Sequence, residues 1–286
     1  MTPTVVACCQ LAPVAGELAS NRERAEDAVR TAVDNGASIV VLPELMSSGH
    51  VVEDRRQALA CAESAEGPTI RSWARLAAEF DIVVVGGFCE VAQGQLFDSA
   101  ALVDARGLRA TYRKVHLWDH ETSCFVSGDA EPPVVDTRFG RIATMVCYDL
   151  DFPEWVRLAA LRGAQLLCVP TNWPAGPRQV DATPMEIVRI QASASVNRMF
   201  IAACDRAGDV PGTSWVGAST IVDVEGWPLA TAWQPGGSTT TIAYAGCDLE
   251  RAADKDVGPC NNIHLDRRPS LYRGLVEDPS AGSARQ

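Results

Sequence analysis

Apolar positions along the chain recur in two periods. Residues 4–11, TVVACCQL, form a short β-prone run that fits a buried strand. Residues 20–35 follow with Ala25, Val29 and Val33 four apart and charges between them, which is the spacing of an amphipathic helix. Ser20 or Asn21 is placed to cap its start, and Gly36 follows its end. ASIVVLPE then reads as a second buried strand. The same rhythm predicts helices over 69–80, over 153–162 with Pro153 in the first turn, and over 184–197. It predicts further strands in DIVVVGGFCE, RIATMVCYD, AQLLCVPTNW, MFIAACD and TTTIAYAGCDL. Two segments break the β-α alternation. DSAALVDARGLRATYRK reads as a hairpin turning at DARG, and WVGASTIVDVEGWPLATA as one turning at VEGW. Hairpins among β-α units make the sheets mixed, so the class is α/β without a plain doubly wound sheet. With no internal repeat and no Pro/Gly/Ser-rich linker, the pattern predicts one domain over residues 1–286. Its tail from about 275 is polar, small and expected to be mobile.

Composition narrows the function. The 286 residues are 47% hydrophobic and 21% charged, enough for a sizeable core without metal or disulfide staples. A net charge of −11 has the wrong sign for a nucleic-acid binder. None of the ten cysteines forms a C-x₂-C pair, and the only close pair is Cys8–Cys9. Cys89, Cys168 and Cys204 sit inside apolar runs, where cysteine behaves as a small hydrophobe. A reducing, cytoplasmic setting is expected, with no disulfide framework and no structural zinc. The N-terminus lacks a secretory pattern and no apolar run reaches 18 residues, so a soluble chain without a membrane span is expected. No glycine-rich phosphate loop follows an early strand, so neither a nucleotide nor any other cofactor is expected.

Three reactive side chains stand at the ends of apolar strands, where α/β proteins gather their ligands. Glu44 in IVVLPELMSSGH is at risk of burial; a buried carboxylate pairs with a cation or takes a raised pKa, as a general base requires. Its plainer reading is a strand-end glutamate in solvent. Lys114 in ATYRKVHLWDHE can hold positive charge against an oxyanion, or is a surface lysine. Cys147 in IATMVCYDLDFPEWVR follows a strand and precedes a proline-started helix, like a nucleophile elbow, or is one more buried cysteine. A helix start and a lysine nearby would lower its thiol pKa from about 8.5. His116 and His120 are four apart, but Leu117 and Trp118 between them suggest a strand end and no third ligand is apparent, so metal binding is not expected.

The order P-E-L, then Y-R-K-x-H-L, then C-Y-D-x-x-F-P-E is specific. With VACCQLAP at the start and DRRPSLY at 266–272, the chain resembles the nitrilase superfamily, the carbon–nitrogen hydrolases, over nearly its whole length. The resemblance implies a four-layer α-β-β-α sandwich with two mixed sheets, commonly paired as a homodimer and in some branches built into larger homo-oligomers. It implies a Glu–Lys–Cys triad at Glu44, Lys114 and Cys147, with Glu121 as a second glutamate that positions lysine and substrate. Glu154 is then left to a structural contact with Arg157 or Arg162. The expected activity is hydrolysis of a small-molecule primary amide through a cysteine thioester, with Lys114 and the N–H of Tyr148 facing the oxyanion. Nitrile or N-carbamoyl hydrolysis by the same triad is the alternative, and an inert scaffold a remote one. The loop TNWPAGPR, carrying Asn172 and Trp173, is expected to line the pocket, with Trp118 as a second flat wall. Arg178 of that loop is read as exposed rather than as a carboxylate clamp. One departure is SSGH, where many members read S-G-Y, which puts His50 at the pocket.

Overall fold

Successive residues of the short apolar strands face opposite layers, and this alternation builds the core. A computed structural model describes residues 3–52, 54–176, 182–209, 213–234 and 239–277; Arg178 and the tail beyond 277 lie outside them. The chain divides into two compact units, residues 1–254 and 255–286. In chain order the first unit contains β1 (Thr4–Gln10), α1 (Leu18–Asp34), β2 (Ile39–Val41), α2 (Arg55–Ala60), α3 (Pro68–Phe80), β3 (Val83–Ala92), β4 (Gln95–Asp104) and β5 (Gly107–Arg113). It continues with α4 (Glu121–Cys124), β6 (Val134–Thr137), β7 (Gly140–Thr144), α5 (Pro153–Leu161), β8 (Leu166–Pro170) and α6 (Met185–Asn197). It closes with β9 (Phe200–Cys204), β10 (Thr220–Val222), β11 (Pro228–Thr231) and β12 (Thr241–Cys247).

Two six-stranded sheets form, in the orders β12-β1-β2-β3-β4-β5 and β11-β10-β9-β8-β7-β6. Each has parallel strands at its centre and antiparallel strands toward its edges. Val6, Cys8, Ile39, Val41, Val83 and Val85 of the first sheet pack against Ile142, Leu166, Cys168, Phe200 and Ala202 of the second. The intervening residues Ala7, Cys9, Val40 and Val84 face Ala25, Val29, Trp73 and Leu76 of α1 and α3. Likewise Leu167, Val169 and Ile201 face Val156, Ala159 and Ile190 of α5 and α6. The result is the expected α-β-β-α sandwich. Both faces of the central strands are covered, which is why they read as continuous apolar runs.

Three local expectations change. α1 begins at Leu18, with neither Ser20 nor Asn21 as its cap. Asn21 is fully buried and its carboxamide instead holds the backbone of Val14 and the carbonyl of Ser47. Two further hairpins, β3–β4 and β6–β7, join the two expected ones. The first turns at Gln93 and Gly94, both at positive φ (52° and 78°), a tight turn made without the usual Asn-Gly or Asp-Gly pair. Glu154 is exposed; Arg162 pairs with Glu131 at 2.9 Å, and Arg157 donates to the carbonyl of Val196. The second unit contains a short antiparallel pair, β13 (Asp256–Gly258) and β14 (Asn261–Asn262), followed by single helical turns. All ten cysteines are free, nine of them buried, and among the described residues no helix is long and apolar enough to cross a membrane.

Candidate active site

The segments that follow β2, β5, β7 and β8 meet, so both sheets contribute to one site. Glu44 comes two residues after Leu42, past Pro43, and is 1% exposed. β3 passes directly behind it: a Cβ on Gly87 would lie 2.5 Å from the Cα of Glu44 and from the nitrogen of Leu45. Only glycine permits that approach.

Lys114 is the first residue after β5 and has no exposed surface. Its backbone is fixed on both sides, donating to the carbonyl of Asp98 and accepting from Gly128, each at 2.8 Å. Its Nζ donates to Oε1 of Glu44 at 2.7 Å and to Oε1 of Glu121 at 2.8 Å, and lies 3.5 Å from Oδ2 of Asp98. Glu121 opens α4 and also accepts the Trp118 N–H at 2.8 Å. Glu44, Asp98 and Glu121 have the oxygen donors of a divalent-cation site, within 4.8 Å of one another. The Lys114 ammonium already lies among them and supplies the positive charge.

Cys147 follows β7 and opens a single helical turn ahead of α5. Its φ is +44°, a left-handed conformation that a non-glycine residue holds at some cost and that turns the side chain out of the strand. The thiol is buried, accepts the backbone N–H of Asn172, and feels the charges of Glu44, Lys114 and Glu121. Asp149 ties this elbow to the lysine segment. It accepts from the Val146 N–H at 3.1 Å, the His116 N–H at 3.0 Å and the Tyr112 hydroxyl at 2.7 Å, and pairs with Nδ1 of His116 at 2.7 Å. His116 is therefore engaged, stacked 3.6 Å from Phe152, while His120 is exposed. The motif pattern alone does not distinguish Asp149 from the other acidic residues of CYDLDFPE. Its signal is a carboxylate two residues past the nucleophile that ends up with no exposed surface.

Electrostatics revises the expected proton positions. Burial pushes Glu44 up, but the charge of Lys114 and its hydrogen bond, with the Asp98 carboxyl beside them, outweigh it and hold the carboxyl below its usual range. Burial, then the charge of Glu44, pushes the Cys147 thiol well above its ordinary value, despite Lys114 and the Asn172 N–H. The expectation of a depressed thiol is thus reversed, and of the two outcomes open to a buried Glu44, pairing with a cation or a raised pKa, the first holds. Desolvation at the elbow exceeds the help from the lysine and the Asn172 N–H, so Cys147 rests as a neutral thiol beside an ionised carboxylate. Burial also carries Glu121 up to about 7.

Cys147 and Glu121 line a cavity of about 240 Å³. Trp118, Tyr148, Asn172 and Trp173 share its wall with His50, while Glu44 and Lys114 lie behind the wall and join it through the bond from Lys114 to Glu121. Trp118 and Tyr148 meet edge to face at 4.8 Å, as do His50 and Trp215 at 4.7 Å. Burial holds His50 down at about 4, so its ring is neutral. Asn172 is 3% exposed, and neither atom of its carboxamide has a hydrogen-bond partner among the described residues.

Residues 5–255 match the carbon–nitrogen hydrolase family. A nitrilase of Pyrococcus abyssi is 31% identical over 270 residues, covering 93% of this chain and 98% of that protein. An (R)-stereoselective amidase of a Pseudomonas species is 35% identical over 272 residues, covering 94% and 93%. An amidase of Nesterenkonia sp. superimposes with a TM-score of 0.78 at 26% identity, covering 96% of this chain and 97% of that one. A variant of the latter has been captured with acrylamide added at its active-site cysteine.

Proposed function

The chain belongs to the carbon–nitrogen hydrolase family and acts on non-peptide C–N bonds; from that premise we propose that it hydrolyses a small-molecule primary amide to a carboxylic acid and ammonia. The reading is carried by one observation: a buried ammonium bonded to two carboxylates stands beside a thiol turned out of its strand at positive φ.

As the Cys147 sulfur attacks the carbonyl carbon, its proton passes to Glu44 and the carbonyl π pair moves onto oxygen. The neutral thiol and ionised Glu44 require this transfer to accompany C–S bond formation. Lys114 and the N–H of Tyr148 donate to the oxyanion. Collapse breaks the C–N bond, Glu44 returns the proton to nitrogen, and ammonia leaves a thioester on Cys147. Water attacks next and loses a proton to Glu44. The second collapse breaks the C–S bond, frees the acid and restores the thiol. Glu121 keeps Lys114 in place, and the unpartnered carboxamide of Asn172 offers one donor and one acceptor to the substrate. A cavity of about 240 Å³ walled by Trp118 and Trp173 suits a small acyl group.

The relatives include amidases and a nitrilase, so the preference between amide and nitrile rests on a substrate comparison. Ammonia release from acetamide and propionamide, their nitriles and simple ureido compounds tests this, and the amides are expected to be turned over fastest. Faster turnover of a nitrile or ureido compound would replace the substrate class. Cys147→Ala should release no ammonia while its circular dichroism is unchanged; turnover by that folded variant would remove the mechanism.

A further inference from the structure

Asp98 lies on β4 with no exposed surface, and its own carbonyl holds the backbone of Lys114. Neither of its carboxyl oxygens receives an N–H or O–H from another residue among those described. Lys114 is 3.5 Å away, against 2.7 Å to Glu44. The neighbours that remain are carboxyl groups: oxygens of Asp98, Glu44 and Glu121 all lie within 4.8 Å of one another. Two carboxyl groups hydrogen-bond only if one carries a proton. Charge balance requires the same: three buried carboxylates surround one ammonium, an arrangement that binds at least one proton. Glu44 and Glu121 each accept a short bond from Lys114, and Glu121 accepts the Trp118 N–H as well. Asp98 has no such donor, so the proton belongs there.

We propose that Asp98 is a positioning residue: as the neutral acid it donates its O–H to Glu44, holds that carboxylate ionised and oriented, and leaves the third N–H of Lys114 for the oxyanion. The inference rests on the roles proposed above for Glu44 and Cys147. A neutral donor suits the task, because it stabilises the anion that must take the thiol proton without competing for the ammonium. Burial, then the charge of Glu44, drives Asp98 well above the carboxylate range, and its hydrogen bond helps keep Glu44 low. The other groups bearing on the pair are few. Lys114, Glu121 and, across the β3–β4 pair, Cys89 face Asp98; Lys114, His50, Cys147, Asp205 and Arg206 face Glu44.

The test compares Asp98→Ala with Asp98→Asn in the full chain. Alanine removes the donor, so Glu44 binds its proton more readily. The acid limb of kcat/KM should move to higher pH, with kcat down about tenfold or more and KM nearly unchanged. Asparagine restores an N–H for Glu44 and a carbonyl toward Lys114, so the limb should return to its wild-type position with most of the rate. A limb that moves to lower pH in Asp98→Asn means a negative charge was lost and overturns the proposal. So does an unmoved limb in Asp98→Ala. If the alanine variant does not fold, infrared spectroscopy decides without any turnover. A protonated-carboxyl stretch should persist at about pH 9, above the ordinary carboxylate range, in the wild type and in Cys147→Ala, and be missing from Asp98→Asn. Its absence from the wild type overturns the proposal, whichever substrate class the enzyme takes.

Discussion

Cys168 and Cys147 lie on the neighbouring strands β7 and β8 or just past them, both buried, in surroundings of opposite kind. Cys168 sits between the two sheets with Ile142, Leu166 and Phe200. Cys147 sits where the strands stop, facing Glu44, Lys114 and Glu121. Burial is the largest cause that raises both thiols well above their ordinary value. What separates them is an adjacent base and ammonium. The dry layer between the sheets offers only packing, whereas the strand ends bring polar groups from both sheets to one point. The chemical surroundings of a buried thiol here therefore follow its position along the strand rather than its exposure.

The comparison is easiest to break at its charged side. Lys114→Ala should lower kcat by on the order of 10²–10³ if it is the main oxyanion donor. The matching change in the dry layer, Cys168→Ala, should leave kcat alone and cost about 1–2 kcal/mol in urea denaturation. A large rate loss in Cys168→Ala would show that the layer does more than pack. Gly87→Ala acts on position only, by driving a methyl into the backbone of Glu44 and Leu45. It should reduce kcat on the order of 10²-fold, since displacing a base by about an ångström has that effect, and it should lower Tm. Wild-type kcat in that variant would mean that the placement of Glu44 tolerates the shift.

The smallest expected effect is a pH slope. Glu121 is raised from the ordinary carboxylate range to about 7, so the folded chain holds a proton there that the unfolded chain releases. Its contribution to stability is thus full at pH below the unfolded value and is lost as pH rises toward 7. Glu121→Gln removes that loss, and its unfolding free energy should fall less than that of the wild type between about pH 5 and 8. Equal slopes for the two proteins would place the ionisation elsewhere.

Much of this was legible in the sequence because burial on two faces writes continuous apolar runs, and because Glu44, Lys114 and Cys147 each follow such a run. The helices over 69–80, 153–162 and 184–197 appear within a residue or two of their predicted ends. Less local features were hidden. Asp98 and Asp149 look like polar residues beside turns, and only the closing of one sheet on the other removes their solvent. The β3–β4 turn at Gln93 and Gly94 carries no strong hairpin pair, so its two strands showed no clear break. Proton positions are not legible in the sequence, because four ionisable side chains from distant segments share one ammonium-centred cluster with a thiol beside it.

The placing of β12 has a consequence for the order in which the protein is made. The chain lays down β1 to β5, then all six strands of the second sheet, and only afterwards returns with residues 241–247 to pair antiparallel with β1. Until that last strand leaves the ribosome, the first sheet has an open edge along β1, a template for pairing with another chain. The thiol and its partners have all been synthesised by then, on a scaffold whose margin is still unprotected. Completion of the sandwich is thus a late event of synthesis, and the growing chain needs its first sheet shielded until then.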